Sequence, residues 1–274
     1  MPSTLRYVVI DVFTDTPLQG NQLAVFTDAR AIPEQMLQPL AKEMAFSETV
    51  FVYPKEADGH VRIRIFMPER ELPFAGHPTL GSAFVLAAPL QLGEIWIETG
   101  AGTVPVRLER EGARIVFGAM QQPYPTFEPF ADADALLAAL GVESRLPVEV
   151  YDNGIRHVYV ALGSPDEVAA LRPDFEALKR FEPGINVFAG EGTSWKSRMF
   201  APADGIPEDP ATGSAAGPLA LHLVRHGLVP AGQQIEISQG AEIGRPSTLY
   251  ATADESRVEV GGSAVVVARG EFRL

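Results

Sequence analysis

His77-Pro78-Thr79-Leu80-Gly81-Ser82-Ala83 and Asp209-Pro210-Ala211-Thr212-Gly213-Ser214-Ala215 are two versions of one pattern. Aligned on their glycines, they place Gly81 over Gly213, Ser82 over Ser214 and His77 over Asp209. The copies stand close to half of the 274-residue chain apart. Each follows an Arg-x-Phe-x-Pro stretch, Arg64 to Pro68 and Arg198 to Pro202, with a two-residue adjustment in the second copy. A repeat of this size predicts two similar halves. The residues that differ, His77 and Asp209, each precede a proline suited to opening a helix, and are candidates for chemistry.

The segments around the repeat set the fold class. Pro78 to Ala88 and Ala211 to His226 are almost entirely apolar or small, as expected of helices buried on all sides. Short β-branched and aromatic runs such as Tyr7–Phe13, Thr49–Tyr53, Val61–Phe66, His157–Ala161 and Ser197–Phe200 read as strands. These runs together suggest that each half wraps strands around one central helix. Pro33 to Met44 carries Met36, Leu37, Leu40 and Met44 at helical spacing, with Pro39 expected to kink it or delay its start. Asp132 to Leu140, ended by Gly141, is a shorter amphipathic helix. Gln121 to Pro129, with its three prolines, reads as the linker between halves.

Composition narrows the function. A net charge of −13 and the absence of any basic run argue against nucleic acid, because phosphate contacts need clustered Lys and Arg. With no cysteine there is no disulfide, thiolate metal site or cysteine nucleophile. The opening MPSTLRYVVIDVF has too short an apolar run for a signal peptide, and no stretch approaches a membrane span. The expectation is a soluble, cytoplasmic protein. No GxGxxG or P-loop is present, so no nucleotide cofactor is expected. The histidines at 60, 77, 157, 222 and 226 form no HExxH; His222 and His226 are four apart, but no acidic third ligand is in obvious register. No metal is expected.

Several places carry polar groups in telling surroundings. In a strand, Glu48 shares a face with Phe46, Val50 and Val52, and desolvation there suits a carboxylate to proton transfer near neutral pH. The alternative is a strand-start glutamate reaching water. His77 follows Gly76, which permits close backbone approach, and a helix N-terminus disfavours its charged form. It reads either as a proton donor or acceptor or as a packing histidine. Asp209 reads as an N-cap with Pro210 as the first helical residue, a role compatible with ligand binding, and Glu208 as its solvated neighbour. Gly81-Ser82 and Gly213-Ser214 lie in first helical turns whose N–H groups suit an anion such as a carboxylate, unless the small residues serve packing alone. Gly240 and Arg245 read as a turn with a surface ion pair, or as a further loop over the site.

The stretches DVFTDTPLQGNQLAVF, MAFSETVFV, RIRIFMPERELPFAGHP, NGIRHVYVAL, SRMFAPADGIPEDPATGSAAGPLALHLVRHG and QGAEIGRPS run over nearly the whole chain. Together they resemble the phenazine-biosynthesis PhzF family, which has the diaminopimelate-epimerase fold. The resemblance implies an α+β fold of two pseudo-symmetric domains, each a curled, mostly antiparallel sheet around a central helix, with the active site in the cleft between them. It also implies a C-terminal strand returning to the first domain. Expected boundaries are 1–117 with 263–274, and 118–262. It implies Glu48, His77 and Asp209 as catalytic residues, with Ser47, Gly76, Gly213 and Ser214 binding substrate. The implied activity is movement of a proton within trans-2,3-dihydro-3-hydroxyanthranilate, with Glu48 as acid and base, giving the aminoketone precursor of phenazines. Other readings are an isomerase or epimerase of another small amino or hydroxy acid, and a non-enzymatic binding protein on the same fold. Diaminopimelate epimerase uses two thiols; with no cysteine, that chemistry cannot run here, whereas a single carboxylate suits proton relocation within one ring. The implied partners are a small cyclic amino/hydroxy carboxylate and, in a homodimer, a second copy of the chain.

Overall fold

A computed structural model describes residues 4–273. The chain divides into two compact units. One holds the described residues up to Gln121 together with those from Gly261 onward, and the other runs from Gln122 to Val260. Both are α+β, and the strand pairings of one are matched in the other.

In the first unit, Thr4–Val12 pairs antiparallel with Asn21–Phe26 on one side and Ala264–Arg273 on the other. Asn21–Phe26 runs parallel to Glu48–Tyr53, with Leu23 opposite Glu48. Val61–Phe66 then pairs antiparallel with Glu48–Tyr53 and the short Glu71–Leu72, and parallel with Glu94–Thr99. The second unit repeats these pairings. Glu149–Asp152 pairs antiparallel with Thr126–Pro129 and Arg156–Ala161. Arg156–Ala161 runs parallel to Gly184–Glu191, with His157 opposite Gly184. Ser194–Ala201 pairs antiparallel with Gly184–Glu191 and Ile206–Asp209, and parallel with Ile235–Gln239.

Each unit has one helix buried along most of its length, Gly76–Leu90 in the first and Gly213–Arg225 in the second. Small residues let these helices press onto strands. A side-chain carbon at Gly81 would lie 2.7 Å from Val12 Cγ2 and 2.8 Å from Leu23 Cδ2, and one at Gly217 would lie 2.5 Å from Val258 Cγ1. Only glycine permits that approach. Outside these helices, Leu37, Leu40 and Ala41 of the helix Glu34–Met44 pack with Phe26, Phe51 and Phe66, and Phe26 stacks on Phe51 at 5.1 Å. This packing carries the helix through Pro39, which neither ends it nor delays its start.

Other elements depart from sequence expectation. The two buried helices start at Gly76 and Gly213 rather than at Pro78 and Ala211. Pro78 is thus the third helical residue, a position where its missing N–H costs nothing, because the first-turn N–H groups have no intrahelical acceptor. The segment read as a linker contains the strand Thr126–Pro129. Ser164 and Asp174 cap two short helices, Pro165–Ala170 and Phe175–Leu178, by accepting backbone N–H bonds. No helix among the described residues is long and apolar enough to cross a membrane.

Candidate active site

Glu48 is the first residue of its strand, and its side chain is 12% exposed. Ser47, partly buried, precedes it in the turn that follows the left-handed Ala45. The parallel ladder and the buried helix of the first unit bring Glu48 to His77. Glu48 Oε2 lies 3.5 Å from His77 Nε2. His77 is buried as the second residue of its helix. Burial pulls its imidazole down to about 3, with a backbone contact to Gln22 acting weakly the other way. The ring is therefore neutral across the physiological range. Its other nitrogen lies 3.4 Å from the amide nitrogen of Asn21.

Asp209 takes a different local position from the one expected. It ends the strand Ile206–Asp209, and Thr212 rather than Asp209 stands at the helix N-cap. Pro210, Ala211 and Thr212 form a non-helical turn fixed by side chains. The Thr212 hydroxyl donates to Asp209 Oδ2 at 2.6 Å. Gln239 donates to the Asp209 carbonyl at 2.8 Å and to Thr212 Oγ1 at 2.9 Å. Gly240 follows at φ +80°, and a side-chain carbon there would lie 2.5 Å from the Pro210 carbonyl oxygen and 2.4 Å from that of Arg245. The turn from Gly240 to Arg245 is thus wedged against the turn carrying Asp209.

Gly213 and Ser214 open the second buried helix, and Gly76 opens the first. Their first-turn N–H groups have no acceptor within the helix. Gln122 donates to the Gly213 carbonyl at 2.8 Å and Asn153 to the Ser214 carbonyl at 2.9 Å. The Ser214 hydroxyl lies 3.0 Å from His157 Nε2. Asn21, His157, Thr212 and Gln239 were not singled out as site residues from sequence. All four nevertheless fall in the quoted stretches DVFTDTPLQGNQLAVF, NGIRHVYVAL, SRMFAPADGIPEDPATGSAAGPLALHLVRHG and QGAEIGRPS, where a polar residue beside glycine or at a strand start is the available signal.

Glu208, expected to be solvated, is a buried ion-pair partner. Its carboxylate receives Arg198 Nε at 2.9 Å and Nη2 at 2.7 Å, and the same guanidinium sits 5.1 Å from the Phe200 ring. In the first unit, Arg64 likewise pairs with Glu71 at 2.7 Å and sits 5.2 Å from the Phe66 ring. The Arg-x-Phe element of the repeat therefore pins the short return strand leading towards His77 in one unit and Asp209 in the other.

His222 and His226 do have an acidic neighbour. Glu149 Oε2 lies 3.2 Å from His222 Nδ1 and 3.1 Å from His226 Nε2. These three are a donor set that a divalent cation accepts. The same oxygen, however, takes Arg225 Nη1 at 2.8 Å and the Tyr151 hydroxyl at 3.1 Å. Burial pushes the Glu149 carboxyl up, but Arg225, His226 and Tyr151 bring it down to about 2. The guanidinium already supplies the positive charge that this carboxylate requires.

A family model described as phenazine biosynthesis-like protein, PhzC-PhzF, matches residues 10–270. A trans-2,3-dihydro-3-hydroxyanthranilate isomerase from Pseudomonas aeruginosa is 53% identical over 98% of this chain and 99% of its own. A PhzF-family phenazine biosynthesis protein from Bacillus anthracis superposes with a TM-score of 0.86 at 27% identity, covering 99% of this chain and 100% of that one. A hydroxyproline epimerase from Agrobacterium vitis, at 11% identity, covers 99% of this chain and 93% of its own with a TM-score of 0.69, and shares the fold.

Proposed function

This chain belongs to the PhzC-PhzF family of phenazine biosynthesis-like proteins, and from that premise we infer that it is a trans-2,3-dihydro-3-hydroxyanthranilate isomerase. The observation that carries the reading is the approach of Glu48, nearly buried, to the neutral ring of His77. The relative from Pseudomonas aeruginosa supports the choice of substrate.

In this reading Glu48 takes the proton from the ring carbon bearing the hydroxyl. The diene shifts, and the protonated Glu48 returns a proton elsewhere on the ring. The resulting enol tautomerises to the aminoketone. Proton relocation of this kind needs a base that becomes an acid, and nothing is oxidised or reduced. His77, being neutral, is not a counter-ion to Glu48; its ring lies beside the carboxylate and limits the positions it can take. His77 and Asp209 hold the amino and hydroxyl groups of the substrate. Ser214 takes its carboxylate, with the N–H groups of Gly76 and Gly213, and Ser47 adds a hydroxyl beside the base. Helix N-termini favour anions for the reason given by their dipoles. The reading includes a homodimer, which light scattering would check, and a cytoplasmic location, which the cysteine-free composition fits.

Proton NMR of the substrate in deuterated water tests the reaction. The wild-type protein should convert it with solvent deuterium entering the ring. Glu48→Gln should lose about two to four orders of magnitude in rate, the usual contribution of a positioned acid or base. Equal conversion by both proteins would remove Glu48 as the base. No conversion by the wild type would reject this substrate.

A further inference from the structure

We propose that His157 is a positioning residue for Ser214, donating from Nε2 to the serine oxygen so that the hydroxyl hydrogen is left to point at an anionic ligand oxygen. The inference rests on the reading of Ser214 as the carboxylate-binding residue.

The geometry assigns the tautomer. His157 and Ser214 are both buried, and Nε2 lies 3.0 Å from Oγ. His157 Nδ1 is buried with no hydrogen-bond partner. A buried lone pair without a donor is tolerated better than a buried N–H without an acceptor. The hydrogen therefore resides on Nε2, the nitrogen that has a partner. Burial holds the imidazole down at about 4, with the charge of Asp152 pulling the other way, so the second nitrogen stays unprotonated. A serine hydroxyl has one hydrogen to give. If it gave that hydrogen to His157, only lone pairs would face a ligand, and a carboxylate would be repelled. Because it receives from His157, Ser214 presents a donor, and the position selects an anion over an ammonium group.

The surroundings maintain this arrangement. The Ser214 carbonyl is anchored by Asn153 at 2.9 Å, which fixes the backbone from which the hydroxyl projects. Gly184, opposite His157 in the parallel ladder, leaves room for the ring; a side-chain carbon there would lie 2.7 Å from Nδ1.

Two probes separate positioning from mere support of the fold. 3-Hydroxyanthranilate is an aromatic analogue of the substrate with the carboxylate, and 2-aminophenol is the same kind of ring without it. Binding of each is measured calorimetrically to the wild type and to Ser214→Ala, His157→Leu and His157→Gln. His157→Leu should weaken the carboxylate probe about ten-fold, or ~1.4 kcal/mol, and leave 2-aminophenol unchanged. His157→Gln, whose amide can donate to the serine, should restore most of the loss. Equal weakening of both probes, or of neither, overturns the proposal. An unchanged carboxylate affinity in Ser214→Ala instead overturns the underlying reading of Ser214. Nitrogen-15 NMR of the wild type gives an independent check: Nδ1 must show an unprotonated shift, and an Nδ1–H tautomer overturns the proposal even if a variant fails to fold.

Discussion

Gly184 stands in the second unit where Glu48 stands in the first. Each is the first residue of its strand, and each lies opposite the neighbouring strand in a parallel ladder, Leu23 against Glu48 and His157 against Gly184. The repeat thus duplicates the framework but supplies a carboxylate at this register position in one unit alone. In the other unit the space belongs to an imidazole.

Replacing Gly184 by alanine should therefore destabilise the protein by about 1–3 kcal/mol, the usual cost of overfilling a packed site. The added carbon meets His157 Nδ1 at 2.7 Å and Met199 Sδ at 3.2 Å. Urea denaturation of Gly184→Ala, His157→Ala and the double variant checks the cause. The double variant should lose less than the sum of the two single losses, because the second change removes the clash made by the first.

Stability should fall with acid first through the buried histidines. His77 and His222 are held by burial at about 3, and His157 at about 4, against an ordinary value of 6.5. Below 6.5 the unfolded chain takes up protons that the native state refuses, so stability is lost as pH falls towards the folded values. Each histidine contributes a slope of about 1.4 kcal/mol per pH unit in that range. Glu149, depressed to about 2 from 4.5, adds its loss only below 4.5. Urea midpoints at several pH values between 6.5 and 4.5 isolate the histidines. His222→Phe should flatten the slope by roughly a third; an unchanged slope would mean that His222 takes up its proton in the folded state.

The two arginines of the repeat should differ sharply in what they contribute. The Arg198 and Glu208 side chains are 6% and 5% exposed, whereas Arg64 is 18% exposed and its partner Glu71 41%. Glu208→Ala leaves a buried guanidinium without its carboxylate and should cost ~3–5 kcal/mol. Glu71→Ala should cost ~0–1 kcal/mol, since Glu34 also binds Arg64 and water reaches the pair. Chemical denaturation of both variants gives the comparison.

Gly240→Ala should harm both stability and substrate binding. Its φ of +80° is strained for any side chain, and the added carbon runs into the Pro210 carbonyl beside Asp209. A loss of about 1–3 kcal/mol is expected from the backbone conformation alone. Displacement of Pro210 should also raise KM for the isomerase reaction. A melting temperature lowered with KM unchanged would show that the turn supports the fold and not the site.

The sequence repeat revealed the duplicated architecture because periodicity and small-residue patterns are local signals. The buried helices Gly76–Leu90 and Gly213–Arg225 are legible in their apolar runs, and strands such as Glu48–Tyr53 and Arg156–Ala161 in their β-branched and aromatic residues, but which of them pair in parallel is not. Local patterns gave the wrong setting for Asp209, because its turn is held by Gln239, a residue distant in sequence. Glu208 looked solvated for the same reason: its partner Arg198 lies across a strand pair. The Asn21–His77 and His157–Ser214 contacts join residues 56 and 57 positions apart. No spacing rule connects such residues until the ladder register is known.

The antiparallel pairing of Thr4–Val12 with Ala264–Arg273 has a consequence for the order of synthesis. All of the second unit leaves the ribosome before the strand that completes the first. The unit begun first is thus the one finished last, and until Ala264 emerges one side of Thr4–Val12 presents unpaired backbone donors and acceptors, the kind of open edge at which chains aggregate.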